Sequence, residues 1–289
     1  MSNKPMKLRP KAMMDWKPTR KRRGWRERLQ EWTKLPQRLK PSAQLVRSLA
    51  LVMLCAAYTV GLNEPVASVV ARKRELPIYC VERDDKRIAI SFDASWGADK
   101  TPAILDLLDE YGVKTTFFLV GGWVDKYPDM LKLLVERGHE IGNHSDTHAH
   151  MSKQNESQIK TELRDMSDKV EKLTGVRPTL FRPPYGEYND LVVRTARAEG
   201  YEAVQWSIDS LDWKDRGTAD IIKQCTYRVA DGDIVLFHND SNDIVNALPS
   251  VLKHYQGLGY TIVPVGELLL AGETTIDIQG KQHPAIPKQ

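Results

Sequence analysis

Cysteine is scarce in this chain of 289 residues, which contains only three, at positions 55, 80 and 225. Three cysteines cannot form a disulfide framework, and since no CxxC pair occurs, a zinc ribbon and a thiol redox motif are excluded as well. No internal repeat of solenoid length is visible, and 18 glycines and 16 prolines are too few for a collagen-like sequence. The chain is therefore a globular protein with one large α/β domain or two smaller ones.

Positive charge is concentrated at one end of the sequence. Residues 1–47 contain 15 Lys and Arg against 3 Asp and Glu, so this segment carries a net charge of +12 and the rest of the chain −8. The 16 residues 48–63 that follow contain no charge, whereas a helix needs about 20 apolar residues to span a bilayer comfortably. A retained signal anchor, a cleaved signal peptide and a buried helix are three possible interpretations. The basic flank and the 47 preceding residues favour the anchor.

An anchor at 48–63 predicts the topology of the whole chain. By the positive-inside rule, the basic tail 1–47 would stay in the cytoplasm, and everything after the anchor would lie on the outer side of the membrane. Residues 64–85 would form a linker. The basic segment 18–40 is either a disordered tail or a segment that lies on anionic lipid. We expect no nucleic-acid partner, because no recognised binding motif accompanies the charge.

Short apolar segments alternate with amphipathic ones about seven times between residues 86 and 270. The pattern predicts strands at 87–92, 115–120, 140–142, 179–181, 202–207, 234–237 and 260–264, with helices at 101–111, 128–137, 156–173, 189–199, 218–229 and 244–258. Such alternation is typical of a parallel sheet covered by helices, and the number of repeats favours a closed barrel over an open sheet. Residues 271–289 are predicted to be a C-terminal tail.

Five groups of polar residues follow the ends of the predicted strands, where folds of this class collect their chemistry. They are Ser-Phe-Asp at 91–93, Asn-His-Ser-Asp-Thr-His at 143–148, Arg-Pro-Pro-Tyr-Gly at 182–186, Asp-Ser-Leu-Asp-Trp at 209–213 and Leu-Phe-His at 236–238. Together they supply histidines, carboxylates and an arginine, the side chains that bind metals or move protons. The sequence therefore predicts metal-assisted hydrolysis.

Each of these side chains also has a less specific interpretation. His144 and His148 stand four residues apart, so both imidazoles can reach one metal ion, but His-rich polar loops are common. Asp93 is suited to be a general base, or it is a strand-end hydrogen bonder. Arg182 either holds a carboxylate such as Asp93 or lies in a surface turn. His238 follows an apolar run and is either a general acid or a hydrogen-bonded core histidine.

Two residues of the fourth group complete this arrangement. Asp212 could orient His238 and keep it protonated through its negative charge. The neighbouring Trp213 would offer an apolar wall.

The five motifs in this order resemble the NodB-type polysaccharide deacetylases, carbohydrate esterase family four, over residues 86–270. The resemblance implies a distorted (β/α)7-type barrel that removes N-acetyl groups from amino-sugar polymers with a divalent metal, usually zinc. The roles that it implies are base for Asp93, acid for His238, metal ligands for His144 and His148, orienting residues for Arg182 and Asp212, an oxyanion-binding backbone N–H for Tyr185, and acetyl-pocket walls for Trp213 and Leu236.

One position departs from the family's pattern. The second Asp of the first motif, a metal ligand in the family, is Ala94 here, and a methyl group cannot coordinate a metal. Asp93, Asp99 and Asp146 are the carboxylates that could replace it. The wording Ser-Phe-Asp-Ala-Ser-Trp-Gly at 91–97 resembles the PdaB-like sporulation deacetylases, a subgroup that tends to share this substitution and has an N-terminal membrane segment.

We therefore expect a membrane-anchored, metal-dependent deacetylase of peptidoglycan or a related cell-wall or spore polysaccharide. The alternatives are a non-catalytic glycan-binding protein with a degenerate metal site, and an amidohydrolase that acts on a non-carbohydrate substrate. The complete acid–base set favours an enzyme over a binding protein. Candidate sugar-stacking residues mildly favour a glycan, namely Trp96, Trp123, Tyr185, Trp206 and Trp213.

Overall fold

The structure is a computed structural model that describes residues 42–62 and 74–285. The two parts belong to separate compact units, and each is described by itself. The first contains helix α1, Ala43–Leu62. This helix begins after Ser42, whose Oγ accepts the N–H of Leu45 at 3.2 Å, as is common at helix N-termini.

Helix α1 includes most of the predicted anchor 48–63 and begins before it. Across residues 42–62 and 74–285, we find no helix with both the length and the apolar character needed to cross a membrane. The anchor therefore stays a prediction. Residues 1–41 of the basic tail, residue 63 of the predicted anchor and residues 64–73 of the predicted linker lie outside the described residues.

The second unit alternates strands and helices. Its strands are β1 Cys80–Val81, β2 Arg87–Ala94, β3 Thr116–Leu119, β4 Glu140–Asn143, β5 Leu180–Phe181, β6 Glu202–Ala203, β7 Ile208–Asp209, β8 Ile234–His238, β9 Thr261–Val263, β10 Thr274–Ile276 and β11 Lys281–Pro284. Its helices are α2 Thr101–Glu110, α3 Gly121–Lys126, α4 Pro128–Glu136, α5 Glu156–Thr174, α6 Asp190–Ala198, α7 Thr218–Thr226, α8 Ile244–Gly257 and α9 Val265–Leu268.

The main sheet is parallel, with the order β6-β5-β4-β3-β2-β8-β7, and β9 pairs with the first residues of β2. Strand β2 is central. The register places its Asp93 beside Phe118 of β3 and His238 of β8. Nearly all of β2 is buried, as expected for a parallel strand covered on both faces. Because side chains alternate along a strand, Phe92 packs among the helices, where it stacks on Phe117 and Phe237, while Asp93 takes the opposite face.

The predicted closed barrel of seven strands is wrong in its closure. The structure has an open half-barrel of eight parallel strands. Only residues 202–203 of the predicted strand 202–207 form a strand, β6, and β7 begins at Ile208 on the other edge of the sheet. Only residues 204–207 join these strands, whereas parallel neighbours need a crossover of about a dozen residues or more, so β6 and β7 cannot pair directly. Ile78 lies along β6 instead, with its N–H bonded to the Ala203 carbonyl at 2.8 Å and its carbonyl to the Gln205 N–H at 2.7 Å.

A small second sheet joins segments from both sides of the domain. Strand β11 pairs in parallel with β1 and antiparallel with β10. Residues 78–82 and 274–284 are thus part of the compact unit, although the sequence had suggested a linker at 64–85 and a tail at 271–289. The domain extends beyond the predicted limits 86–270 on both sides.

Candidate active site

A cleft of about 780 Å³ opens at the carboxyl ends of the central strands. All five motif groups contribute to it. The lining residues are Asp93, Ser95, Trp96, His144, His148, Tyr185, Gly186, Trp206, Asp209, Trp213, Asp215, Leu236, His238, Asp240, Ser241 and Asn242. The structure thus brings together side chains that are up to about 150 residues apart in the sequence, as expected for parallel strands that end at one edge.

Asp93 and Arg182 form a buried ion pair on one wall of this cleft. The Nη1 of Arg182 donates to Asp93 Oδ1 at 2.7 Å, and its Nη2 donates to Ser91 Oγ at 2.9 Å and to the Gln205 carbonyl at 3.0 Å. Burial opposes ionisation of Asp93, but the charge and hydrogen bond of Arg182 and the nearby His144 and His238 together outweigh it and hold the pKa of Asp93 below its usual range. Arg182 is completely buried, so the surface-turn interpretation is excluded.

His144 and His148 face each other with ring centroids 5.1 Å apart. His144 Nδ1 donates to the Arg182 carbonyl at 2.7 Å, which leaves Nε2 unprotonated, 3.5 Å from Asp93 Oδ2. Burial lowers the pKa of both imidazoles, that of His148 to about 4. Both rings are therefore neutral at pH 7, the form in which histidine binds metals.

The third metal ligand of the family has no counterpart in the structure. Ala94 is 1% exposed, and its methyl group packs in the apolar core between the sheet and the helices. In the part of the chain that the structure describes, no group of three His, Cys, Asp or Glu side chains is arranged to hold a metal. The residues present therefore do not fit a metal ion held by three protein side chains, and His144 and His148 are left as a pair of nitrogen ligands.

The other carboxylates considered as substitutes are engaged elsewhere or lie outside the cleft. Asp146 Oδ1 accepts from Lys169 Nζ at 2.6 Å. Asp99 is exposed and does not line the cleft. Asp93 is already bound to Arg182 through Oδ1, so only its Oδ2 is available.

His238 and Asp212 form a second pair, and His238 lines the same cleft. His238 Nδ1 donates to Asp212 Oδ1 at 2.7 Å, and the His238 backbone N–H donates to Asp212 Oδ2 at 2.8 Å. Burial lowers the pKa of His238, but the hydrogen bond and negative charge of Asp212 outweigh it and raise that pKa above its usual value. Asp209 accepts the N–H of Leu211, which stabilises the left-handed turn before Asp212.

The remaining predicted site residues divide into cleft and core. Tyr185, Trp213 and Leu236 all line the cleft, and Trp213 is 56% exposed. Trp96 is 62% exposed at the cleft rim, with its ring edge-on to the His148 ring. Trp123 was a candidate for sugar stacking, but it is 2% exposed and its indole N–H donates to a backbone carbonyl, so this interpretation is wrong.

Sequence reasoning missed several residues that hold the site together. The Gln205 carbonyl that binds Arg182 left no signal, because any residue type supplies a backbone carbonyl. Glu162 bonds the loop that carries the two histidines, but it is one of many charged residues in the polar helix α5. Ser91 was noted only as a motif residue, and its contact with Arg182 requires the register of the sheet.

Comparison with known proteins identifies the same family that the five motifs resemble. The family model for polysaccharide deacetylases matches residues 81–204. A peptidoglycan-N-acetylglucosamine deacetylase of Bacillus cereus is 38% identical over 194 residues, which cover 65% of this chain and 91% of that relative. The peptidoglycan-N-acetylmuramic acid deacetylase PdaC of Bacillus subtilis is 33% identical over 188 residues, and the chain spans only 40% of that longer protein.

Among solved structures, the chain is similar to a CE4 family pseudoenzyme from Bacillus anthracis. The TM-score is 0.65, with 29% identity over 67% of this chain and 69% of that one. A mutant of that pseudoenzyme, described as having restored enzymatic activity, matches with the same TM-score at 30% identity. Structural neighbours thus include both an inactive protein and an active variant of it.

Proposed function

The chain belongs to the NodB-type polysaccharide deacetylase family, carbohydrate esterase family four, and we propose that it hydrolyses N-acetyl groups of amino sugars in peptidoglycan. Its named relatives are hydrolases of carbon–nitrogen bonds other than peptide bonds. The observation that carries the proposal is the presence of two hydrogen-bonded dyads, Asp93–Arg182 and His238–Asp212, at one cleft. Arg182 favours the ionised form of Asp93 and Asp212 favours the protonated form of His238, so the two dyads suit a base and an acid.

These two side chains suit the two proton transfers of amide hydrolysis. Asp93 would accept a proton from the water that attacks the acetamide carbon. The backbone N–H of Tyr185 would stabilise the negative oxygen of the tetrahedral intermediate. His238 would then donate its proton to the sugar nitrogen while the carbon–nitrogen bond breaks, giving acetate and a free amine. Trp213 and Leu236 would enclose the acetyl methyl group, since both line the same cleft.

Metal dependence is a further part of the proposal. Family members generally depend on a metal, whereas this chain offers His144 and His148 without the third side chain. We expect these imidazoles to bind a divalent ion, zinc by the family resemblance, more weakly than a three-ligand site would. Elemental analysis after incubation with zinc and desalting, with His144→Ala as control, tests this point. Equal zinc retention by the wild type and the control would contradict it.

The location of the enzyme is also proposed rather than observed. The +12 segment before the uncharged run 48–63 supports a single-pass anchor with the domain on the outer side, where peptidoglycan lies. The motif at 91–97 supports a cell-wall or spore-cortex substrate through its resemblance to the sporulation subgroup. Protease treatment of intact cells should digest the domain, and an uncut domain would contradict this topology.

Glycan binding without turnover is the second candidate function. Ala94 in place of a metal ligand favours it, as does the similarity to a pseudoenzyme. Acetate release from N-acetylated peptidoglycan, compared among the wild type, Asp93→Asn and His238→Ala, separates the two functions. If the protein is a deacetylase, the wild type should release acetate, and both substitutions should abolish that release. If the wild type instead retains the glycan without releasing acetate, the binding function is established. Activity on small acetamides alone would indicate a non-carbohydrate substrate.

A further inference from the structure

His148 is held differently from its partner His144. The ring of His144 is fixed by its bond to the Arg182 carbonyl. The Nδ1 of His148 is buried and has no hydrogen-bond partner among the described residues. Its ring lies beside three other rings, with centroid distances of 5.1 Å to Trp96, 5.1 Å to His144 and 4.3 Å to Tyr185. The position of His148 therefore depends mainly on the backbone that carries it.

That backbone adopts an unfavourable conformation at two places. Ser145 has φ 67° and His148 has φ 58°, both in the left-handed region that is unfavourable for residues other than glycine. Such residues persist only where the surrounding structure holds them. Local bonds contribute, since Asn143 Oδ1 accepts the Ser145 N–H at 2.8 Å and Ser145 Oγ accepts the His148 N–H at 2.9 Å.

Between these two positions the loop is bound from outside by helix α5. The buried carboxylate of Glu162 accepts the backbone N–H of Asp146 at 3.0 Å, the backbone N–H of Thr147 at 2.8 Å and the hydroxyl of Thr147 at 2.7 Å. Seven residues later on the same helix, Lys169 binds the Asp146 side chain. Glu162 thus accepts both N–H groups between the two left-handed residues.

We propose that Glu162 is a positioning residue of the active site, which holds His148 facing His144 through the backbone of Asp146 and Thr147. The inference rests on the proposed function only in that it treats this histidine pair as part of the site. Glu162 lies outside all five motif groups and does not touch the cleft. It acts through the loop and therefore has no catalytic role of its own.

Four variants separate this role from general stabilisation. Glu162→Ala removes all three hydrogen bonds. Glu162→Gln should restore them, because its carbonyl oxygen can accept both N–H groups and its amide can donate to Thr147 Oγ1. Thr147→Val removes a single bond and serves if Glu162→Ala does not fold. Asp165→Ala is the matched control, since Asp165 is exposed on the same helix.

The measurement is nuclear magnetic resonance of the full chain in detergent, with a chelator present so that no metal is bound. Two quantities are recorded, namely the exchange rates of the Asp146 and Thr147 amides and the ring proton shifts of His148. The latter depend on the ring currents of the flanking aromatic rings. His144 serves as internal reference. Because neither quantity needs turnover, failure of this proposal is distinguishable from failure of the proposed deacetylase function.

We expect Glu162→Ala to speed exchange of both amides about tenfold or more, because the hydrogen bonds that hold these amides closed are lost. The His148 ring signals should move while those of His144 stay, and Thr147→Val should move them less in the same direction. Glu162→Gln and Asp165→Ala should match the wild type. Unmoved His148 ring signals in Glu162→Ala, or in Thr147→Val if the former does not fold, would overturn the proposal even if exchange accelerates.

Discussion

Replacement of Arg182 by methionine tests the electrostatic argument for the site most directly. Arg182 is completely buried, donates three hydrogen bonds and lies 4.0 Å from the centre of the Phe118 ring. Methionine has a similar length but no charge, so Arg182→Met leaves the Asp93 carboxylate buried without its partner. Breaking a buried ion pair from one side costs about 3–5 kcal/mol, and we expect a loss of this size in the free energy of unfolding at pH 7.

The pH dependence of that loss has a definite sign. In the wild type the pKa of Asp93 is lower in the folded protein than in the unfolded chain, where it is about 3.9. The ion pair therefore stabilises the fold fully above the unfolded-state pKa, and this stabilisation is lost as pH falls through the folded-state pKa. In Arg182→Met, the main interaction that opposes the effect of burial is lost, so the pKa of Asp93 should rise. The stability difference between the two proteins should therefore be largest at pH 7 and shrink toward lower pH.

Urea unfolding at pH 7 and pH 5 measures this difference, and two further variants control it. Arg177→Met removes an exposed arginine that also binds two carboxylates, and should cost less than about 1 kcal/mol. Asp93→Asn in the Arg182→Met background removes the unpaired charge and should recover part of the loss. If Arg182→Met costs no more than Arg177→Met, or if Asp93→Asn recovers nothing, the account of the ion pair is refuted.

Three further predictions follow from the same site. In Asp212→Asn the pKa of His238 should fall, and a titration of the histidines followed by magnetic resonance checks this. The stability lost relative to the wild type should be largest below about pH 6.5 and should shrink as pH rises through the wild-type pKa of His238. Ala94→Asp should lower stability in urea unfolding by about 1–3 kcal/mol, because it buries a carboxylate in an apolar core. Trp213→Ala should weaken glycan binding without loss of stability, whereas Trp123→Ala should destabilise the protein by about 3–5 kcal/mol in chemical unfolding.

Much of the fold could be predicted because local signals and tertiary structure agree. The long polar helix was expected at 156–173 and is α5, which begins after the cap Asn155 and ends at Gly175 in the left-handed conformation. The prediction of a single strand at 202–207 was wrong because the apolar pattern continues across a bend in the chain. The bend is stabilised by Ile78, a contact across more than 120 residues that no local pattern reveals.

The site was predicted in outline for a similar reason. Side chains that follow buried parallel strands must meet at one edge, so Asp93, His144 and His238 could be grouped from the sequence alone. Their support could not be predicted, because it depends on how helix α5 packs. Glu162 looks like any solvent-facing glutamate in the sequence, yet it is buried against the histidine loop. Whether the site residues act in the roles assigned to them stays a prediction.

The small sheet of β1, β10 and β11 has a consequence for how the protein is made. Its parallel partners Cys80 and Lys281 lie about 200 residues apart in the chain. Closing so long a loop is slow, and a contact of such high sequence separation raises the contact order of the domain. A growing chain can therefore contain all five motif groups before this sheet exists. We expect the central strands to assemble first and the segment 78–82 to join them last. Because Ile78 covers the edge of β6, that edge would be exposed until this segment is in place.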